Sequence, residues 1–456
     1  MPEETIHLEE SKALLESLIE DPESFREYHA SELAKILREI YNQEGLESFL
    51  GYTRSIPEEY LGEVLLELPE NVKDEALNEL SASKLAEVVD ELDSDDAADL
   101  MQDIEEIDSE KEREVLSSLD EEDIQDIKRL KKYEEDEAGS IMQTELFSAH
   151  LDEPIGMAIE RLKRLKREEN LDNIHQVFIV DKFNMLIGVI MLEDLITYDF
   201  DKTFRAYFDK THKMIQTAKA TDKISDVVNL FSDYDLVVLP IVDTRGVLVG
   251  RITSDDIYDV MEEQATDQIY KMAGVDDETE EDRDILSITK KRGLWLGINL
   301  ITAILASLVI GLFGETIQKY VALAVLMPIV ASMGGNAGTQ SLTIMVRQIA
   351  LGEMSWSEAK ESVKQELLVA LLNGLIFAFL MGVIALFWFH DHRLGIVIAM
   401  AMVINLLAAG FFGALIPLGL KKIGTDPAVA STVLLTTVTD VLGFFAFLGL
   451  AKVILL

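Results

Sequence analysis

Apolar residues change their spacing twice along the chain, and each change marks a different kind of element. Over residues 1–136 they recur at helical intervals in short runs without strand-like alternation, which predicts a series of short amphipathic helices. Between about Tyr60 and Ile127 these runs are punctuated at a loose period of roughly twelve residues, by Leu66-Glu67-Leu68-Pro69, Leu80-Ser81, Leu92-Asp93-Ser94 and Leu119-Asp120. Such short helices must bury one another, so a small helical solenoid is expected. From 137 to 262 the pattern becomes an internal repeat. Ile179-Val180-Asp181 returns 62 residues later as Ile241-Val242-Asp243, and the same offset joins Leu186 to Leu248, Gly188 to Gly250 and Asp194 to Asp256. Each copy, about 137–199 and 200–262, reads helix, strand, turn, strand, helix, with strands at 177–180 and 238–242. The two α/β units are expected to stack.

A helix from Asp255 to about Met272 follows the second copy, and an acidic linker at 274–282 completes a connecting segment that runs to 292. Beyond Lys290-Lys291-Arg292 lie apolar runs at 293–313, 320–346, 366–389, 394–419 and 427–453. Each can cross a hydrocarbon core that needs about 20 helical residues. Alternating the flanks places Lys290, Lys291, Arg292, Arg347, Lys360, Lys364, Lys421 and Lys422 on the cytoplasmic side and only Lys319, Arg393 and Lys452 outside. That asymmetry predicts a cytoplasmic amino terminus, five spans and an external carboxyl terminus in a multi-pass protein of the cell membrane. The fold class is therefore multidomain: an all-α solenoid, an α/β pair and a five-helix transmembrane domain at 293–456.

Charge separates the same parts. The eight acids and eight bases from Gly293 onward cancel, so the whole formal charge of −43 belongs to residues 1–292. This disfavours nucleic acid and anionic lipid and favours cations or basic partners. Cysteine is absent, which removes disulfides, Cys-ligated zinc and a thiol nucleophile. The first thirty residues have neither a basic n-region nor an apolar h-region, so no cleaved signal peptide is expected.

The residue that bears most on function is Asp440, set after Thr436, Thr437 and Thr439 and before Val441-Leu442-Gly443-Phe444-Phe445. An ionised group near the bilayer centre costs between about 3 and more than 10 kcal/mol, so it is kept where it has a partner or a task. Asp426-Pro427 reads as the start of the same helix, with proline at its first position. On that reading a polar stripe runs from Asp426 to Asp440, with Thr436 and Thr437 on its face and Thr432 on its margin. The run Pro328 to Ser341 packs Gly334, Gly335, Asn336 and Gly338 into the second span, where backbones approach closely or unwind. On the soluble side Asp95, Asp96 and Asp99 crowd one helix start. Asp255, Asp259 and Glu262 or Glu263 share a face of the connecting helix, where like charges repel unless a cation neutralises them.

The repeat resembles the tandem cystathionine-β-synthase (CBS) domain, a regulatory module that takes adenosine nucleotides or ions. The order of parts, with Gly334-Gly335-Asn336-Ala337-Gly338, Asp426-Pro427-Ala428-Val429-Ala430-Ser431 and Thr436-Thr437-Val438-Thr439-Asp440, resembles the MgtE family of magnesium channels and transporters. The resemblance implies a homodimer with a central pore, Mg²⁺ as substrate and cytoplasmic Mg²⁺ as inhibitor. It makes Asp440 the pore carboxylate, with Thr432, Thr436, Gly443 and Asn336 lining the passage and Asp426 at the cytoplasmic mouth. It matches Asp95, Asp99, Asp235, Asp256 and Asp259 to sensor positions, and places Gln264 where the family often has a glutamate. Another divalent cation (Co²⁺, Mn²⁺ or Ca²⁺) remains the alternative, since hard oxygen ligands alone do not rank these ions. A CBS-regulated membrane enzyme finds no His-Glu-x-x-His, Gly-x-Ser-x-Gly or Gly-x-x-x-x-Gly-Lys, and a sensor with a mere anchor has no use for Asp440.

Overall fold

Pro69, Ser81, Asp93 and Asp120, which punctuate the amino-terminal pattern, each stand immediately before a helix. Of the four, Ser81 caps its helix with its side chain, which accepts from the Lys84 backbone N–H and satisfies one free donor. In the computed structural model, which describes residues 2–167, 171, 173–208, 215–275, 285–350, 356–429 and 431–456, the segment holds α1 (Pro2–Glu20), α2 (Ala30–Glu44), α3 (Leu46–Thr53), α4 (Glu58–Leu66), α5 (Glu70–Glu79), α6 (Ala82–Asp90), α7 (Ser94–Ile107), α8 (Ser109–Leu116) and α9 (Glu121–Leu130). Leu33, Leu37 and Ile40 of α2 are buried with Phe25, Phe49, Leu61, Val64, Leu85 and Leu100 in one core. Each such side chain contributes about 1.5–3 kcal/mol, which lets helices of two or three turns persist.

The repeat folds as two three-stranded sheets of the same design. In the first, β1 (Ser148–His150) pairs parallel with β2 (Gln176–Val180), which pairs antiparallel with β3 (Leu186–Met191). In the second, β4 (Ala218–Lys219), β5 (Val238–Val242) and β6 (Leu248–Thr253) repeat that order. The ladder shifts register between Ile179 and Val180 and again between Ile241 and Val242, positions that the repeat makes equivalent. β1 and β4 are too short for alternation to reveal them. Helices α10 (Ile155–Arg167) and α11 (Leu192–Leu195) belong to the first copy, and α12 (Arg205–Phe208), though it follows the expected boundary at 199, packs Tyr207 and Phe208 on the same core; α13 (Ile224–Tyr234) belongs to the second copy, and α14 (Ser254–Ala273) starts in it. The copies exchange backbone bonds, Leu186 N–H to Gly246 O at 3.1 Å and Leu248 N–H to Asn184 O at 3.1 Å. Ala98 of α7 and Leu130 of α9 enter the second copy's core beside Leu239, Ile241, Ile252 and Ile257. That shared core brings the acidic start of α7 to the α/β pair.

Met1–Met261 and Glu262–Leu456 form two compact units. Of the expected linker, residues 276–282 lie outside the described residues. The second unit contains five helices long and apolar enough to cross a membrane: α15 (Ile285–Gly311), then, after the short α16 (Gly314–Lys319), α17 (Ala322–Ala350), α18 (Trp356–Phe389), α19 (His392–Lys422) and α20 (Ser431–Leu455). α17 stays helical through Pro328 and its glycines. Those glycines serve close approach: a Cβ on Gly413 of α19 would stand 2.7 Å from Gly338 O, and one on Gly338 would stand 2.9 Å from Leu435 of α20. Leu294, Leu300, Leu308, Phe379 and Phe387 face outward, as an apolar solvent requires.

Candidate functional site

α20 begins at Ser431, four residues later than the Asp426-Pro427 signal suggests. Asp426 instead accepts from the Ala428 N–H at 2.8 Å through Oδ1, and its Oδ2 takes Lys271 Nζ at 3.1 Å. The carboxylate thus closes a local turn and binds a cation, and Pro427 is not the first helical residue. The polar stripe on α20 runs over Thr432, Thr436 and Asp440, at intervals of four that keep them within about 80° of one another. Thr436 Oγ1 donates to Thr432 O at 2.9 Å, and Thr437 Oγ1 to Val433 O at 2.7 Å. Their protons are committed to the backbone, so the oxygens remain open as acceptors. Asp440 is half-buried, and among the described residues no hydrogen bond or ion pair reaches it.

Thr436 and Asn336 are exposed on the surface of the chain, Asn336 Nδ2 lying 3.3 Å from Ser332 Oγ. Gly443 is buried, because the Asn405 amide of α19 covers it. Thr432 Oγ1 donates to Met272 O of α14 at 2.8 Å, and Met272 packs against Leu342, Val346, Ala428 and Leu435. Lys271 also pairs with Asp267 at 2.5 Å. The last turn of α14 is thereby fastened to the entry of the stripe by one ion pair, one hydrogen bond and an apolar plug. The pairing of Lys271 with Asp426 carried no local signal, for the two are 155 residues apart.

The acidic cluster of the first unit forms where α7 starts. Asp95 is 5% exposed, and its Oδ1 is buried without a hydrogen-bond partner among the described residues. Burial raises its carboxyl well above the usual range, with Asp96, Asp256 and Asp93 adding to the shift. Burial first, then Asp256 and Asp99, push Asp96 up to about 7. Asp93 is pushed up to about 6 by burial and by Glu145, against the pull of Arg251. Asp256 is raised by burial although Thr253 donates to its Oδ2 from N–H at 3.1 Å and from Oγ1 at 2.6 Å. Ser94 Oγ donates to Glu145 Oε2 at 2.9 Å and holds that acid in the group.

Of the expected sensor residues, Asp95, Asp99 and Asp256 come together, and Asp259 adds its charge to Asp256. Asp235 does not join them: it is exposed at the end of α13 in the left-handed conformation, φ 50°, and among the described residues no contact ties it to the cluster. Spacing marks Asp93 only as a helix start and does not mark Glu145 at all. Among the described residues no three acids or histidines stand around one point closely enough to ligate a single ion directly. The donors present, all carboxylate and hydroxyl oxygens, suit a hard cation that keeps its waters, and the open Oδ1 of Asp95 is a ready acceptor for one of them.

Residues 327–450 match the MgtE divalent cation transporter family, residues 28–136 the MgtE intracellular N domain, and residues 138–201 and 211–263 the CBS domain. The magnesium transporter MgtE of Thermus thermophilus is 32% identical over 341 residues, 74% of each chain. That of Enterococcus faecalis is 33% identical over 331 residues, 73% of this chain and 72% of its own. The crystal structure of the soluble part of a magnesium transporter is 28% identical and covers 57% of this chain and 99% of that one, with a TM-score of 0.49. With helical, CBS and membrane parts in the same order and relatives of this identity over nearly three quarters of its length, the chain belongs to the MgtE family of divalent cation transporters.

Proposed function

We propose that the protein carries Mg²⁺ across the cell membrane through a pore on the two-fold axis of a homodimer, and that Mg²⁺ bound to its cytoplasmic part closes that pore. The observation that carries this reading is Asp440, a half-buried carboxylate without a partner among the described residues, continuing the face of Thr432 and Thr436. Mg²⁺ dehydrates reluctantly and touches one or two carboxylates while keeping several waters. Two Asp440 side chains facing across the axis balance the charge of such an ion, and threonine oxygens whose own protons are spent accept hydrogen bonds from its waters. Size and hydration then select the ion, and the membrane potential drives it inward. The basic flanks of the spans support a cytoplasmic amino terminus and an external carboxyl terminus.

Cation competition in liposomes containing the purified protein tests the substrate. Mg²⁺ is expected to be carried in preference to Co²⁺, Mn²⁺ and Ca²⁺ at equal concentration; equal uptake of Ca²⁺ would return the assignment to divalent cations in general.

For closure, the residues that hold the inhibitory ion are Asp93, Asp95, Asp96, Asp99 and Asp256, and the element that moves is α14, whose last turn sits on the mouth through Lys271 and Met272. Mg²⁺ can act in this way only by binding the closed arrangement more tightly than the open one. Lys271→Met removes the ammonium that bridges Asp267 and Asp426. A partly exposed pair of this kind is worth about 1 kcal/mol, so the Mg²⁺ concentration that halves the flux is expected to rise about fivefold. An unchanged inhibition curve would remove Lys271 from the gate.

A further inference from the structure

Three membrane helices meet at one amide. Asn405, midway along α19, has no exposed surface; its Nδ2 donates to Val330 O of α17 at 2.7 Å, and its Oδ1 is buried with no partner among the described residues. The amide fits because glycine stands on both sides of it. A Cβ on Gly443 of α20 would meet Nδ2 at 2.8 Å and Oδ1 at 3.0 Å, and a Cβ on Gly334 of α17 would overlap Nδ2. Gly443 follows Asp440 by three residues, less than one helical turn.

A buried amide with an open oxygen is a poor device for mere cohesion, because an apolar side chain of the same shape removes the unsatisfied atom. What the amide supplies, and leucine does not, is a directional bond to one carbonyl, which fixes how far α19 slides and turns against α17. The glycine notch of α20 then seats on the flat amide, so the register of one bond is passed to the helix that bears the carboxylate. We propose that Asn405 is a positioning residue for ion passage, setting the depth and rotation of Asp440 against α17 through Gly443. The inference rests on the reading of Asp440 as the pore carboxylate.

The test is Asn405→Leu in the full chain, close to isosteric, reconstituted in liposomes beside wild type and Asp440→Ala. We expect the elution volume and thermal midpoint to hold while the half-saturating Mg²⁺ concentration rises and the Mg²⁺-to-Ca²⁺ flux ratio falls, each about fivefold, the effect of one interhelical hydrogen bond in a bilayer. Gly443→Ala, which crowds the same amide, is expected to move both quantities in the same direction, and it decides the matter should the leucine variant not purify. Wild-type half-saturation and flux ratio, with or without a loss of stability, overturn the proposal. Flux lost in Asp440→Ala but wild-type values in Asn405→Leu refute the positioning role alone; undiminished flux in Asp440→Ala refutes the pore assignment and this inference with it.

Discussion

Asp440→Ala is expected to lower Mg²⁺ uptake into liposomes at least a hundredfold or so, without loss of folded protein. A divalent ion about 5 Å from a carboxylate, at an effective dielectric constant of roughly 20, is held by about 6–7 kcal/mol. Even if half of that is offset by the water the ion and the carboxylate give up, the remainder of about 3 kcal/mol is a factor of about a hundred in occupancy. Stability should move the other way, because the substitution removes an unpaired charge from an apolar helix, where its retention costs several kcal/mol. Asp440→Asn separates shape from charge and should fail as badly as alanine. Uptake at the wild-type rate by either variant, measured with a Mg²⁺-sensitive dye inside the vesicles, would take the pore away from α20.

What could be read from the residues beforehand was whatever depends on local pattern. The five spans declare themselves by length, the repeat by its 62-residue offset, and the starts of α5, α6, α7 and α9 by the Pro, Ser and Asp residues that stand just before them. Asp440 stood out because a charge in an apolar run is costly. Asn405 sends a weaker form of the same signal, a lone amide in Val403-Ile404-Asn405-Leu406, and a neutral side chain disturbs an apolar run too little to draw notice. The Asp426-Pro427 start was misleading for a physical reason: a carboxylate that bonds Ala428 N–H and Lys271 is satisfied without helix beyond it. Lys271 on Asp426 and Glu145 on Ser94 are products of tertiary folding, joined across 155 and 51 residues, and no spacing announces them. Asp235 entered the sensor set through family resemblance alone, and its exposed position at the end of α13 lends that assignment no support.

Protease digestion of the cytoplasmic part should slow at millimolar Mg²⁺, and in chelator the same protection should appear when the pH is lowered from about 7.5 to 5.5. The sign follows from the direction of the shifts. Asp93 and Asp96 have folded values of about 6 and about 7 against an ordinary 3.8, so the folded state holds protons that the unfolded chain releases. Between about pH 4 and 7 the folded unit therefore loses stability as pH rises, and for Asp93 alone the loss approaches about 3 kcal/mol by pH 7.5. Above pH 7 these charges face one another and Asp256 without protons, and a divalent cation is the remaining way to neutralise them. Mg²⁺ protection should thus be large at pH 7.5 and small at pH 5.5, where protons already do the same work. Asp95→Asn paired with Asp96→Asn removes two carboxyl groups from the cluster and keeps side chains of nearly the same shape. That variant should resist digestion equally with and without Mg²⁺, and its transport should lose much of its inhibition, since an ion that no longer distinguishes two arrangements cannot shift the balance between them. If wild-type digestion ignores both Mg²⁺ and pH, the raised carboxylates are a structural burden rather than a sensor, and closure of the pore must be sought in α14 alone.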